Sequence, residues 1–314
     1  MKPEILLIEP VMQELEAKLD QAYMVHRLAK AADRQALIGS VAPSVRAIVT
    51  GGGTGVSNDV VDALPKLEII AINGVGTDAV DLEHARAKGV RVTNTPGVLT
   101  DDVADLGIAL MLAASRQLCV GDRFVREGRW AQKEGLPLAR KVTGKRLGII
   151  GMGRIGRAIA RRAEGFRMVI AYTDLREVDD DLPFEFVPDL VQLARQSDFL
   201  MVAASGGAQS QEIINRAVLD ALGAKGILVN VARGSIVDEA ALVAALTEGS
   251  LGGAALDVFV DEPSVPEALF KLDNVVLQPH RASATIETRV AMGELVVRNL
   301  AAYFAGKDLP TPVV

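Results

Sequence analysis

The sequence predicts an α/β protein built from two doubly wound, parallel-sheet domains with a cleft between them. Two observations lead there. Short apolar runs alternate with helical patterns from one end of the chain to the other. That rhythm breaks once, at Pro96-Gly97, and then resumes as a second series. Alternation of this kind is what a parallel sheet covered by helices on both faces requires.

Taken in order, Ile5–Ile8 reads as a strand and Val11–Ala22 as a helix, with His26 in a further strand. Ala47–Val49 is a strand, followed by Gly51-Gly52-Gly53-Thr54-Gly55 and a short helix near Asn58–Leu64. Ile69–Ile72 is a strand that runs into Asn73-Gly74-Val75-Gly76. Leu82–Lys88 is a helix and Val90–Thr93 a strand. Beyond Pro96-Gly97 a long helix is expected from about Asp101 to Arg116, and a polar stretch, Glu127–Thr143, follows it. The second series has strands at Arg146–Ile150, Met168–Tyr172, Phe199–Ala203, Gly226–Asn230, Gly253–Asp257 and Val275–Leu277. A final helix, Ile286–Phe304, stops before Gly306 and Pro310, ordinary stop signals. The predicted arrangement is nested. A dinucleotide-binding domain occupies 99–282, and a substrate domain combines 1–98 with 283–314.

Composition narrows the function classes. A length of 314 residues suits two domains of ordinary size. Hydrophobic residues make up 49% and aromatics 4%, so Val, Ile, Leu and Ala must build the core. A net charge of −6 leaves no basic field for nucleic acid or an anionic membrane. A small anionic substrate must then be met by a local cation. The single cysteine, Cys119, excludes an intrachain disulfide and a cysteine-rich metal cage, and it fits a reducing compartment. The apolar run near the N-terminus is too short for a signal-peptide core. No run approaches a membrane span. The expectation is a cytoplasmic protein without a metal.

Gly151-Met152-Gly153-Arg154-Ile155-Gly156 joins a strand pattern to a helix pattern. Gly-x-Gly-x-x-Gly alone is weak, but this context is that of a Rossmann-like dinucleotide grip. Gly151 allows the tight turn, Gly153 admits a pyrophosphate, and Gly156 lets the helix pack close. Phosphate oxygens then face the helix N-terminus at Arg154 and Ile155. Asp174 follows the second strand of the series, where an acidic residue meets the ribose hydroxyls of NAD. Its charge would repel a 2′-phosphate, so NAD(H) is favoured. Arg176 keeps NADP(H) as the alternative.

Three further side chains share one rim. Arg233, Glu262 and His280 each follow a strand of the second series, at the end where open α/β sheets bind ligands. Reducing a 2-oxo acid needs a hydride and a proton. Histidine supplies a proton near neutral pH, a carboxylate orients it, and arginine holds a carboxylate with two prongs. His26 and His84 lack any such setting and read as surface or core residues.

On the motifs Gly151–Gly156, Asn230–Gly234, Asp257–Pro263 and Pro279–Thr285, the chain resembles the D-isomer-specific 2-hydroxyacid dehydrogenase family over essentially its whole length. It is most similar to the hydroxypyruvate and glyoxylate reductases, plant hydroxyphenylpyruvate reductases among them. The resemblance implies that Arg233 binds substrate, that Glu262 pairs with His280 and that His280 is the proton donor. It implies substrate contacts from the amides of Val75 and Gly76 and from Ser283. It further implies cofactor contacts from Thr100, Val231, Ala232, Asp257 and His280. It suggests a homodimer with the helix after Thr100 at the interface. Departures are the Ala203-Ala204-Ser205-Gly206-Gly207-Ala208 loop, where the family carries Pro and Thr, and Asp174-Leu175, where the plant relatives carry Ser-Arg. Glu262 in place of Gln speaks against a formate substrate. Two other readings stay open: a reductase of bulkier aryl or sugar-derived 2-oxo acids, and a dinucleotide-sensing protein like the corepressors built on this fold. Trp130 either walls the substrate pocket or packs at a dimer interface.

Overall fold

The computed structural model describes residues 2–178 and 182–314. In chain order the first series is β1 (Glu4–Leu7), α1 (Gln13–Ala22), β2 (Met24–Arg27), α2 (Arg34–Val41), β3 (Val45–Gly51), α3 (Asn58–Asp62), β4 (Ile69–Asn73), α4 (Leu82–Ala87) and β5 (Arg91–Thr93). Then come α5 (Thr100–Ser115) and α6 (Leu118–Arg126). The second series is β6 (Arg146–Ile150), α7 (Arg154–Glu164), β7 (Val169–Thr173), β8 (Glu185–Phe186), α8 (Leu190–Arg195), β9 (Phe199–Val202), α9 (Arg216–Leu222), β10 (Ile227–Asn230), α10 (Glu239–Glu248), β11 (Gly253–Leu256) and β12 (Val275–Leu277). α11 (Ile286–Phe304) closes the chain.

These elements form two compact units, Met1–Leu99 with Ala284–Val314, and Thr100–Ser283. The smaller unit holds a five-stranded sheet in the order β2-β1-β3-β4-β5, every pair parallel. One face of its core joins Ile5, Leu7, Ala47, Val49, Ile69 and Ala71 to Leu15 and Leu19 of α1 and to Val296 and Leu300 of α11. Alternate strand residues Leu6, Ile48, Ile70 and Val92 fill the opposite face. Both faces of these strands are therefore buried, which is why they read as unbroken apolar runs.

The larger unit holds a seven-stranded parallel sheet in the order β12-β11-β10-β9-β6-β7-β8. The order reverses between β6 and β9, and open sheets of this kind bind ligands beyond the strand ends at that point. Asp33, Asp81, Asp189, Asn215, Asp238 and Thr285 each accept a backbone N–H at the start of a helix. Sequence did not place α2, α6 or the two-residue β8, and it left α8, α9 and α10 without bounds. α5 and α6 are separated by Arg116 and Gln117, and the φ of 53° at Gln117 is left-handed.

One face of α5, the helix expected at a dimer interface, packs into the core of its own unit. Val103, Ala104, Ile108, Leu110 and Met111 are buried, and the helix packs on α7, β10 and β11. Exposed apolar side chains lie further on, among them Leu118 and Val125 of α6 and Trp130 and Leu138 after it. Among the described residues, no single helix is long and apolar enough to cross a membrane.

Candidate active site

The glycine turn has the shape its sequence requires. Gly151 has φ 92°, and a Cβ there would lie 2.6 Å from the backbone of Ala204 in the loop after β9. Only glycine fits both demands. A Cβ on Gly156 would overlap the Gly151 carbonyl, so α7 starts tight against the turn. A Cβ on Gly153 would meet nothing within 4 Å. Gly153 and Arg154 are exposed and Ile155 is half-buried, so the N-terminus of α7 opens outward. This is the space a pyrophosphate needs beside free helix amides, and the residues fit a dinucleotide.

Asp174 directly follows β7 and ties the turn to it. Its Oδ2 accepts the Met152 N–H at 2.8 Å and its Oδ1 accepts the Leu175 N–H at 2.8 Å. Leu175 and Arg176 beyond it are exposed. Val231 and Ala232 are buried after β10, so ligand contacts there would come from the main chain. Thr100 is the first residue of α5 and is half-buried.

Arg233, Glu262 and His280 follow β10, β11 and β12, three neighbouring strands. Asn230 shapes the first loop, since its Nδ2 donates to the Arg233 carbonyl at 2.9 Å and its Oδ1 accepts the Ala232 N–H at 3.0 Å. The Arg233 guanidinium donates to the Ala232 carbonyl at 2.7 Å. Gly234 then lies against the backbone of Phe259 and Val260, so closely that any Cβ would overlap it. This contact sets the loop after β10 against the loop that carries Glu262.

Glu262 Oε1 accepts the Phe259 N–H at 3.0 Å, and its Oε2 lies 2.7 Å from His280 Nδ1. Burial raises the Glu262 carboxyl. The hydrogen bonds from His280 and Phe259, with the charges of His280 and Arg233, outweigh it and hold the group below its ordinary range. Glu262 is therefore an ionised acceptor, so the proton of this contact belongs to Nδ1. Nε2 is the ring end left to exchange a proton. The imidazole is 37% exposed, so a substrate can reach it.

Asp257, expected from the resemblance to contact the nicotinamide, also has backbone partners. It has no accessible surface, and its two oxygens accept the Arg281 and Ala282 N–H groups at 2.6 and 2.9 Å. Sequence reasoning had no signal for these bonds, nor for the bracket made by Asn230. Ser283 is the last residue of the larger unit and is half-buried.

In the smaller unit, Val75 and Gly76 follow β4. Asn94 Nδ2 donates to the Val75 carbonyl at 2.8 Å, and the Thr95 N–H donates to the Gly74 carbonyl at 2.8 Å. The Gly74 and Val75 carbonyls are thus engaged. Among the described residues the Val75 and Gly76 amides donate to no backbone acceptor. His26 and His84 contact Glu4 and Asp62.

Comparison with known proteins gives a consistent result. Residues 108–282 match the family model described as D-isomer specific 2-hydroxyacid dehydrogenase, NAD binding domain. The chain is 49% identical over 310 residues to glyoxylate/hydroxypyruvate reductase A of Arabidopsis thaliana, covering 99% of this chain and 98% of the relative. It is 46% identical over 313 residues to 2-ketogluconate reductase of Gluconobacter oxydans, covering 100% and 99%. The crystal structure of an NADPH-dependent glyoxylate/hydroxypyruvate reductase from Sinorhizobium meliloti, with NADP and malonate, aligns with a TM-score of 0.94 at 43% identity. The alignment covers 100% of this chain and 97% of that one.

Proposed function

Because the chain belongs to the D-isomer specific 2-hydroxyacid dehydrogenase family, we propose that it reduces a small 2-oxo acid, hydroxypyruvate or glyoxylate, to the D-2-hydroxy acid. The observation that carries this reading is the His280–Glu262 pair beside the Arg233 loop, at the ends of three adjacent strands. The reduced nicotinamide dinucleotide supplies the hydride. Arg233 binds the substrate carboxylate and polarises the neighbouring carbonyl. As the carbonyl carbon gains the hydride, its oxygen becomes an alkoxide and takes the proton from His280 Nε2. Glu262 keeps the ring oriented throughout. Backbone amides in the Gly151–Gly156 turn hold the pyrophosphate.

Asp174 supports a preference for NAD(H), since a carboxylate at the ribose opposes a 2′-phosphate. The protein is read as a homodimer that covers the exposed apolar side chains of α6 and the segment after it. Trp130 belongs to that segment.

The test is a panel of 2-oxo acids with NADH and NADPH in parallel, followed by consumption of the reduced coenzyme. Turnover of hydroxypyruvate or glyoxylate, faster with NADH, is expected. Absence of turnover with every 2-oxo acid refutes the reading. In the same assay His280→Ala should lower kcat by about 10²–10⁴. A second substrate class, sugar-derived 2-oxo acids, is favoured by the 46% identity to a 2-ketogluconate reductase and belongs in the panel.

A further inference from the structure

We infer that Asp257 is a positioning residue for His280, gripping three consecutive amides so that the loop holds the imidazole toward Glu262. The His280 N–H donates to the Asp257 carbonyl at 2.8 Å. The next two amides, of Arg281 and Ala282, donate to its Oδ1 and Oδ2 at 2.6 and 2.9 Å. Asp257 is itself fixed, since its own N–H donates to the Asn230 carbonyl at 2.9 Å.

Three successive amides converge on one residue only if the chain bends around it. The bend is at His280, whose φ is 51°. A residue with a side chain seldom adopts this left-handed conformation, and it persists where the surroundings over-determine it. Asp257 provides that determination. The geometry needs two acceptor oxygens, which a carboxylate has and a carboxamide does not. Burial raises the Asp257 carboxyl, and the bonds from Arg281 and Ala282 pull the other way. His280 and Glu262 are the nearby charges that act on it. A buried acid is costly, and holding the proton donor in place is a reason to keep one here.

This inference rests on His280 being the proton donor, and a double-mutant cycle separates the two ideas. Asp257→Asn, His280→Ala and the double variant are compared for kcat and for NADH binding by fluorescence. Asp257→Asn should lower kcat about 10–100-fold, the scale of a misaimed reacting group. NADH affinity should stay within about twofold. In the His280→Ala background the same change should cost less than about twofold, because there is no longer an imidazole to aim. Losses that multiply in the double variant overturn the inference. So does weakened NADH binding with kcat intact, which would place Asp257 on the coenzyme. Near-normal turnover of His280→Ala alone refutes the reading of His280 itself, before the cycle is needed. If Asp257→Asn does not fold, Asp257→Ser keeps one acceptor in a smaller volume, and the cycle is repeated with the same outcomes deciding.

Discussion

Gly234 is a point at which packing can be converted into rate. Its φ is an ordinary one, so alanine there meets no backbone objection. The obstacle is steric: the added methyl would lie inside the contact radius of the Phe259 carbonyl and the Val260 nitrogen. Comfortable carbon contacts need about 3.5–4.0 Å, so the two loops must separate by roughly 1 Å or more before Gly234→Ala fits. Backbone cannot swing aside as a long side chain would. Overpacking of this kind costs about 1–3 kcal/mol, which lowers the melting temperature by roughly 2–12 °C for a unit of this size. Because one loop carries Arg233 and the other Glu262, the same displacement misaligns the substrate anchor with the proton donor. A 1 Å error there is worth about 10² in kcat/KM. Calorimetry and reduced-coenzyme consumption measure the two effects. A variant with native melting temperature and native kcat/KM would refute the claim that this contact sets the site.

Glu262→Gln tests the pair directly. The Glu262 carboxyl is held below its ordinary range, so its stabilising contribution is present above the ordinary carboxylate pKa and is lost as pH falls through the lowered value. The melting-temperature gap between wild type and variant should therefore be widest near neutrality and close toward acid. In turnover, kcat should fall by about tenfold or more, because the ionised acceptor that orients the imidazole is gone. An unchanged kcat counts against the pairing. Asp174→Ser should raise kcat/KM for NADPH relative to NADH by about tenfold or more, as like-charge repulsion is relieved. An unaltered ratio would show that Asp174 does not select the coenzyme.

The sequence made some elements plain because packing and local signals agree in them. β6 and α11 are found at the expected residues, Arg146–Ile150 and Ile286–Phe304. One is a short apolar run between turn signals and the other a long periodic helix with clear stops. α6 escaped notice for a physical reason. Phe124 is its one buried residue, and the break before it is made by Gln117 in a left-handed conformation that sequence gives no reason to expect there. α2 was more readable than it was taken to be, since Asp33 caps the Ala36 N–H at 3.0 Å. At the site, Arg233, Glu262 and His280 were visible as strand-end residues. The work of Asn230 and Asp257 was not, because their partners are backbone amides placed by loops whose paths the residue types do not determine.

The smaller unit is assembled from the two ends of the chain, and this matters during synthesis. The sheet face formed by Ile5, Leu7, Ala47, Val49, Ile69 and Ala71 is roofed in part by Val296 and Leu300 of α11. On a ribosome adding about 5–20 residues per second, roughly 10–40 s pass between the emergence of β5 and of that roof. The inserted unit, Thr100–Ser283, carries its own sheet and core and can complete its fold in that interval. The earlier strands wait with an oily face open to water, a nascent surface suited to transient chaperone custody until the last helix arrives.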